Sequence, residues 1–343
     1  MTKSPSSRTR TPIPAARLVQ RIRDAYKELR WYLFTRPRTR TVKQIKALKA
    51  QRKALGESFK DHPNISVIVQ SFNQVRNIEL LEARLRLTCM DELIVCEDGS
   101  IDGSHEQWMR RLTRPNDFFI HSNDLHEIRT YSRAIDHARG EFICLMQDDD
   151  QPPRDGSWLA KAIELFAHYP KLGVLGGWCG FNRYFEEEYN APWLQPPTGE
   201  ISYKDPYTQQ PLIFVENVNI GPYLFRRSVY RKLGGFDIRF SEPGTPGICF
   251  ESEFCYRAWK HGYEVALTNI PVKEGNKGQA YIFPGGTVMW GKEDRERNEY
   301  QNKKKIVALY DKDLPGIQKK VQEANMRLMN RITGQVSASV SRL

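Results

Sequence analysis

The chain has 343 residues, 40% of them hydrophobic, with a mean hydropathy of −0.60 and a formal net charge of +11. That length buries a sizeable core in one large domain or two modest ones, and no run of about 18 apolar residues argues for a membrane-spanning helix. Residues 1–60 hold 17 Lys/Arg against 3 Asp/Glu, a net of +14, which leaves −3 for the rest and argues against a nucleic-acid-binding body.

Residues 1–14 are rich in Ser, Thr, Arg and Pro and lack the apolar centre of a secretory leader. From Ala15 to Phe34 the apolar positions Leu18, Val19, Ile22, Tyr26, Leu29, Tyr32 and Leu33 recur at helical spacing, with Arg17, Arg21, Arg23, Lys27 and Arg30 on most of the other face. Thr35 to Arg38 breaks that helix, and a second basic helix is expected from Val42 to Leu55, stopped by Gly56. A basic amphipathic pair suits an anionic membrane surface, so residues 15–55 are a candidate docking arm. The alternative is a helix packed on the body with its charges in water. The six cysteines are scattered without a CxxC pair, which reads as reduced thiols in the cytosol and argues against a zinc site.

From Asn64 the pattern changes. Ile65 to Val69 is a buried-strand run, followed by the loop Ser71-Phe72-Asn73 and a helical stretch through Leu87. Glu92 to Cys96 is a second strand, ending in Glu97-Asp98-Gly99-Ser100; Phe118 to Ile120 is a third; Ile128 to Ala138 is a helix that Gly140 stops. Glu141 to Met146 is a fourth strand running into Gln147-Asp148-Asp149-Asp150. Strands alternating with helices imply parallel βαβ units, whose ligands bind beyond the carboxyl ends of the strands, where both acidic loops fall. A GxGxxG fingerprint and a Walker A loop are both missing from the sequence.

Three consecutive aspartates after a buried strand repel one another and are eased by a cation; carboxylate oxygens suit Mg²⁺ or Mn²⁺, which commonly bridge protein and phosphate. The alternative is a solvated turn capping the next helix near Gly156. Between residues 175 and 225, Trp178, Phe181, Tyr184, Trp193 and Tyr223 could stack against sugar rings, or simply pack a core. Ser241 to Gly247 reads as a loop able to close on a bound ligand.

The ordered series Val67-Ile68-Val69-Gln70-Ser71-Phe72-Asn73, Glu92 to Ser104, Gly140 to Asp150, Lys232-Leu233-Gly234-Gly235-Phe236-Asp237 and Glu251 to Arg257 resembles the family 2 glycosyltransferases, inverting enzymes of the GT-A fold. The resemblance implies an α/β fold: a Rossmann-like mixed sheet, mostly parallel and flanked by helices, here with an N-terminal helical extension. It implies an extension over 1–60 and a catalytic domain over 61–343. Within that domain 61–150 would bind the nucleotide, 151–300 would carry acceptor and base, and 301–343 would be helical. It implies Ser71, Asn73 and Asp98 at the nucleoside of a nucleotide-diphosphate sugar, with Asp148 at the donor and Asp149 and Asp150 on Mn²⁺ or Mg²⁺. Glu251 would be the general base that takes the proton of the acceptor hydroxyl, where the family usually has aspartate; a helix N-terminal cap is the other reading. Glu253 would orient its helix. Gln147 stands where the family has its first aspartate, and Thr130-Tyr131-Ser132 where it has Ala-Arg-Asn, which leaves Arg129 or Arg133 to face the diphosphate. Lys273, Glu274 and Asn276 fall in the acceptor-side loop. The family-level expectation is a UDP-sugar donor, a saccharide or lipid-linked acceptor, a cytoplasmic location with peripheral membrane contact, and no nucleic-acid partner. A nucleotidyltransferase is the rival enzyme, but it needs a basic Gly-rich loop after the first strand, and Gln70 to Gln74 is not one; an inactive docking scaffold is the non-enzymatic rival.

Overall fold

The computed structural model describes residues 63–123, 126–182, 193–194, 201, 203–241, 247–270, 272 and 292–340, with helical residues at 25–26, 46–47 and 50. The chain divides into two compact units, Met1–Leu55 and Gly56–Leu343. In the second, strands β1 (Ile65–Ser71), β2 (Glu92–Glu97), β3 (Asp117–His121) and β4 (Phe142–Gln147) alternate with helices α1 (Val75–Leu85), α2 (Ser104–Arg111) and α3 (His126–His137). Helix α4 (Ser157–His168) and strands β5 (Leu172–Gly176), β6 (Gly180–Phe181), β7 (Trp193–Leu194), β8 (Ile213–Phe214), β9 (Asn217–Val218) and β10 (Tyr223–Arg226) follow. The chain continues through α5 (Arg227–Lys232), α6 (Phe250–Lys260), β11 (Glu264–Leu267), α7 (Lys292–Tyr310) and α8 (Leu314–Val340).

Eight strands form one sheet in the order β3-β2-β1-β4-β10-β5-β11-β8; β10 and β8 run against the other six. β1 is buried at all seven positions, as its unbroken apolar run dictates for a central parallel strand covered on both faces. β7, β6 and β9 make a small antiparallel sheet. The first four strands match the expected elements to within a residue or two at each end. The insertion of β10 between β4 and β5 was not visible from strand patterns, because a four-residue antiparallel strand has no period that announces its neighbours.

The chain leaves β1 toward β2 on one side and returns with β4 on the other, so the crevice between the carboxyl ends of β1 and β4 is the topological switch point. Opposite it, Phe225, Tyr230, Phe236, Phe250 and Phe254 pack as one aromatic cluster, with Phe236 to Phe250 ring centroids 4.9 Å apart. Arg257 of α6 donates to the carbonyls of Leu233 and Gly235, each at 2.7 Å. The aromatic contacts hold the first half of α6 against β10, and Arg257 ties its last turn to the turn after α5. The outer edge strand β8 is covered by α8, where Asn325 accepts from Phe214 N and donates to Phe214 O, both at 2.9 Å. Among the described residues no helix is long and apolar enough to cross a membrane.

Candidate active site

At the switch point the loop after β1 is tied to the loop after β4: the Phe72 amide donates to Asp148 Oδ2 at 2.7 Å, and the Ser71 side chain also bonds Asp148. Ser71 is fully buried, and its hydroxyl accepts from Trp108 Nε1 at 3.0 Å. Asn73 adopts a left-handed backbone (φ 54°) and fastens the neighbouring loop, accepting from Ile101 N at 2.9 Å. Beside them Asp98 is 4% exposed, with Oδ1 accepting from the Ser122 hydroxyl and Oδ2 from His126 N, both at 2.8 Å. The structure thus gathers Ser71, Asn73, Asp98 and Asp148 at adjoining strand ends, with part of each side chain's bonding capacity spent on holding the loops.

The acidic run divides its labour. Asp148 is buried, and burial first, then the neighbouring Asp149 charge, pushes its carboxyl well above the ordinary range. Asp150 is also buried; its Oδ2 accepts from Gln147 N at 2.8 Å, and Oδ1 lies where a Cβ on Gly221 would sit, 2.7 Å away. Gly221, at φ +110°, is a position that only glycine fills without strain and clash. Asp149 is the half-exposed member of the three.

Across from it, Gln147 Nε2 donates to Glu127 Oε1 at 2.9 Å. Burial and the Asp149 charge push Glu127 up to about 7, against the pull of Arg295. Glu251, in the first turn of α6, is pushed up to about 8 by burial and then by Glu127 and Glu299. Asp149, Glu127 and Glu251 therefore share one electrostatic environment. Sequence reasoning passed over Glu127, since an acidic residue in the first turn of a helix is ordinary. The residue before the start of α6, Cys249, holds φ 68°, and His126 beside Glu127 holds φ 55°. Strained non-glycine backbone on both sides of the acidic group is costly and is seen where surroundings over-determine a site.

Other expected residues sort by contact. Glu253 is buried, bound to Arg257 at 2.8 Å and accepting from the Tyr310 hydroxyl at 2.6 Å, so it orients α6 against α7. Tyr131 is buried and donates to Met146 O at 2.9 Å, joining α3 to β4. Arg129 donates to Ser241 O at 3.2 Å, while Arg133 is exposed. Tyr223 is fully buried, its hydroxyl near Glu251 O and Cys255 Sγ, and Phe181 is 5% exposed; both pack the core. Trp178 is partly buried against the same core. Tyr184, the side chain of Trp193, Lys273, Glu274, Asn276 and most of Ser241 to Gly247 lie outside the described residues, as does nearly all of 15–55.

A second group lies at the end of β2. Glu97 Oε2 faces His121 Nδ1 at 2.8 Å and His105 Nδ1 at 3.2 Å, and the Ser100 amide donates to Glu97 Oε1. Burial works to raise Glu97, but the bonds from Ser100, His105 and His121 outweigh it and hold the carboxyl below its ordinary range.

Residues 66–234 match the model of the glycosyl transferase family 2, a span that includes Asp98 and Asp148 to Asp150 and ends before Glu251. No curated protein matches the chain. Among solved structures, the chain is similar to the mannosyltransferase PcManGT from Pyrobaculum calidifontis in complex with GDP-Man and Mn²⁺, at 14% identity over 87% of this chain and 82% of that one, with a TM-score of 0.48. It is similar to TarS 1–349 from S. aureus at 15% identity over 68% and 63%, TM-score 0.45. It is also similar to glucosyl-3-phosphoglycerate synthase from Mycobacterium tuberculosis, in complex with Mn²⁺, UDP and glucosyl-3-phosphoglycerate, at 14% identity over 70% and 79%, TM-score 0.39.

Proposed function

From the match of residues 66–234 to the glycosyl transferase family 2 model, we propose that the protein is an inverting, metal-dependent glycosyltransferase that moves a sugar from a nucleoside diphosphate sugar, a UDP-sugar by first choice, to an acceptor hydroxyl. The observation that carries the reading is the grouping of Asp149, Glu127 and Glu251, in which burial and then the Asp149 charge raise Glu127, and burial and then the Glu127 charge raise Glu251. Such a concentration of like charge favours a bound cation, and its oxygen donors suit Mn²⁺ or Mg²⁺. Asp149 would hold the ion, with Asp150 and Asp148 beside it, and the ion would stabilise charge growing on the leaving diphosphate.

Glu251 would take the acceptor's proton while the hydroxyl oxygen attacks the anomeric carbon from the face opposite the diphosphate, so that the configuration inverts. A carboxyl raised to about 8 is a stronger base than an ordinary one, and its ionised, working form grows as pH rises from neutral through about 8. Asp98, Ser71 and Asn73 would meet the nucleoside. We place the acceptor among saccharides or lipid-linked carriers in cell-surface polysaccharide or glycolipid synthesis, with residues 15–55 lying on an anionic membrane face in the cytoplasm.

A thermal-shift screen of nucleoside diphosphates with and without Mn²⁺ identifies the base. Turnover of the corresponding nucleotide sugar, lost in Asp149→Ala, is the expected result. No turnover of any nucleotide sugar, with no effect of Asp149→Ala on nucleotide binding, would sink the reading. For the membrane arm, co-sedimentation with anionic liposomes should be strong for the full chain and weak for one starting at His62; equal binding rejects the arm.

A further inference from the structure

The three groups at the end of β2 form a site of a different chemistry from the oxygen-rich acidic run. The geometry points to a second metal site, made by Glu97, His105 and His121, that takes a zinc-class divalent transition metal. One ligand atom from each of Glu97, His105 and His121 lies within 4.8 Å of the other two. Ligands at zinc's bond lengths of about 2.0–2.2 Å stand roughly 3.3–3.6 Å apart on a tetrahedron. The edges from Glu97 to His105 and to His121 are 3.2 and 2.8 Å. The His121 edge must open by about half an ångström to meet that geometry, and the imidazole–imidazole edge must settle to a similar length from within 4.8 Å, both by movement of surface imidazoles.

The set also has the surroundings that a metal ligand needs. Glu97 has no exposed side-chain surface, and its second oxygen is held by the Ser100 amide, which fixes the carboxylate's orientation. His105 packs edge-on against Phe119, with centroids 5.0 Å apart. The two imidazoles are 37% and 54% exposed, so the fourth position faces solvent and an entry path exists. Imidazole nitrogen with one carboxylate favours Zn²⁺, Co²⁺ or Ni²⁺ over Mg²⁺. With both Nδ1 atoms turned to a single carboxylate oxygen, an ion between the three would serve all of them at once.

The site would clip three elements: β2 through Glu97, α2 through His105 and the edge strand β3 through His121. Asp98 follows Glu97, and Ser122, which follows His121, donates to Asp98. A metal here would therefore brace the loops around Asp98 without joining the chemistry at Asp149. The inference does not depend on the proposed glycosyl transfer.

Co²⁺ serves as the probe, because tetrahedral coordination gives it visible d–d absorption. Full-length protein, stripped with chelator, should bind one Co²⁺ per chain with that absorption, and Zn²⁺ should displace it. The signal should persist in Asp149→Asn, weaken at least about tenfold in affinity in His105→Ala or His121→Ala, and vanish in the double variant. Because both imidazoles are partly exposed, circular dichroism should show the variants folded. Hydrogen exchange over residues 97–123 should slow on adding Zn²⁺ to the wild type and not to the double variant. Undiminished Co²⁺ absorption in the double variant, its loss in Asp149→Asn, or no absorption in the wild type overturns the assignment.

Discussion

Two parallel strands of one mixed sheet end in an acidic pair or run, and the electrostatics of the two ends are opposite. At the end of β2, Glu97 is surrounded by donors from Ser100, His105 and His121 and is held below its ordinary range, while Asp98 accepts from Ser122 and His126. At the end of β4, Asp148 is raised by burial and by Asp149, and Glu127 nearby is raised to about 7. The first end keeps its charge with groups supplied by the protein. The second accumulates carboxylate charge that its own donors do not offset, which favours a hard, oxygen-seeking cation and tunes a base.

The largest effect expected from this contrast is at Glu251. Glu251→Gln should lower kcat by roughly 10²–10⁴-fold, the range for loss of a positioned general base, with little change in KM for the donor. The wild-type kcat/KM should rise with pH through about 8, because a base works only when deprotonated and burial raises this one. A variant profile that keeps the same rise would assign the step to another group and break the proposed link between the two sides of the site.

The next effect sharpens the β2 side. Glu97→Gln should destabilise the fold at pH 7 by about 1–3 kcal/mol, the usual loss for hydrogen bonds to a charged group. The sign follows from linkage: a carboxyl lowered in the folded state contributes stability above its unfolded value, and that contribution is lost as pH falls. Denaturant titrations should therefore separate variant from wild type at pH 7 and converge in acid. Equal stability at pH 7 would mean the histidines and Ser100 do not hold the charge.

How much of this was legible in the sequence depends on the kind of statement. Buried strands announce themselves, since Ile65 to Val69 and Phe142 to Met146 are unbroken apolar runs, and the acidic loops follow at the strand ends where ligands bind. The order of Asp148, Asp149 and Asp150 did not reveal which of them faces outward. That depends on the turn made by Gln147 and Asp150 and on the close approach of Gly221. Glu127 and the His105–His121 pair were invisible because the contacts that matter join residues 8 to 24 positions apart on different elements. Cysteine spacing, the usual sequence sign of zinc, says nothing about a site built from imidazole and carboxylate. Tyr131 looked like a lost diphosphate contact; its hydroxyl proves to bond the β4 carbonyl of Met146.

That bond gives a smaller prediction. Tyr131→Phe should cost about 0.5–1.5 kcal/mol of stability, one buried hydrogen bond, with donor binding unchanged. A selective loss of donor affinity at unchanged stability would instead put the hydroxyl in the site.

The smallest effect is at Glu127, and it should have the sign opposite to Glu97. Its folded value of about 7 lies above the ordinary 4.5, so its contribution to stability is fully present below about 4.5 and is lost as pH rises through 7. Gln in its place keeps an oxygen to accept from Gln147 and removes the charge that faces Asp149. Glu127→Gln should therefore match the wild type near pH 4.5 and exceed it in melting temperature at pH 8. The gain should be on the order of 0.5 kcal/mol, because the side chain is half-buried and solvent screens it. Saturating Mn²⁺ should narrow the gap, since a cation near Asp149 relieves the same repulsion in the wild type. If the variant is less stable than the wild type at pH 8, the two strand ends do not differ in the way their hydrogen bonds indicate.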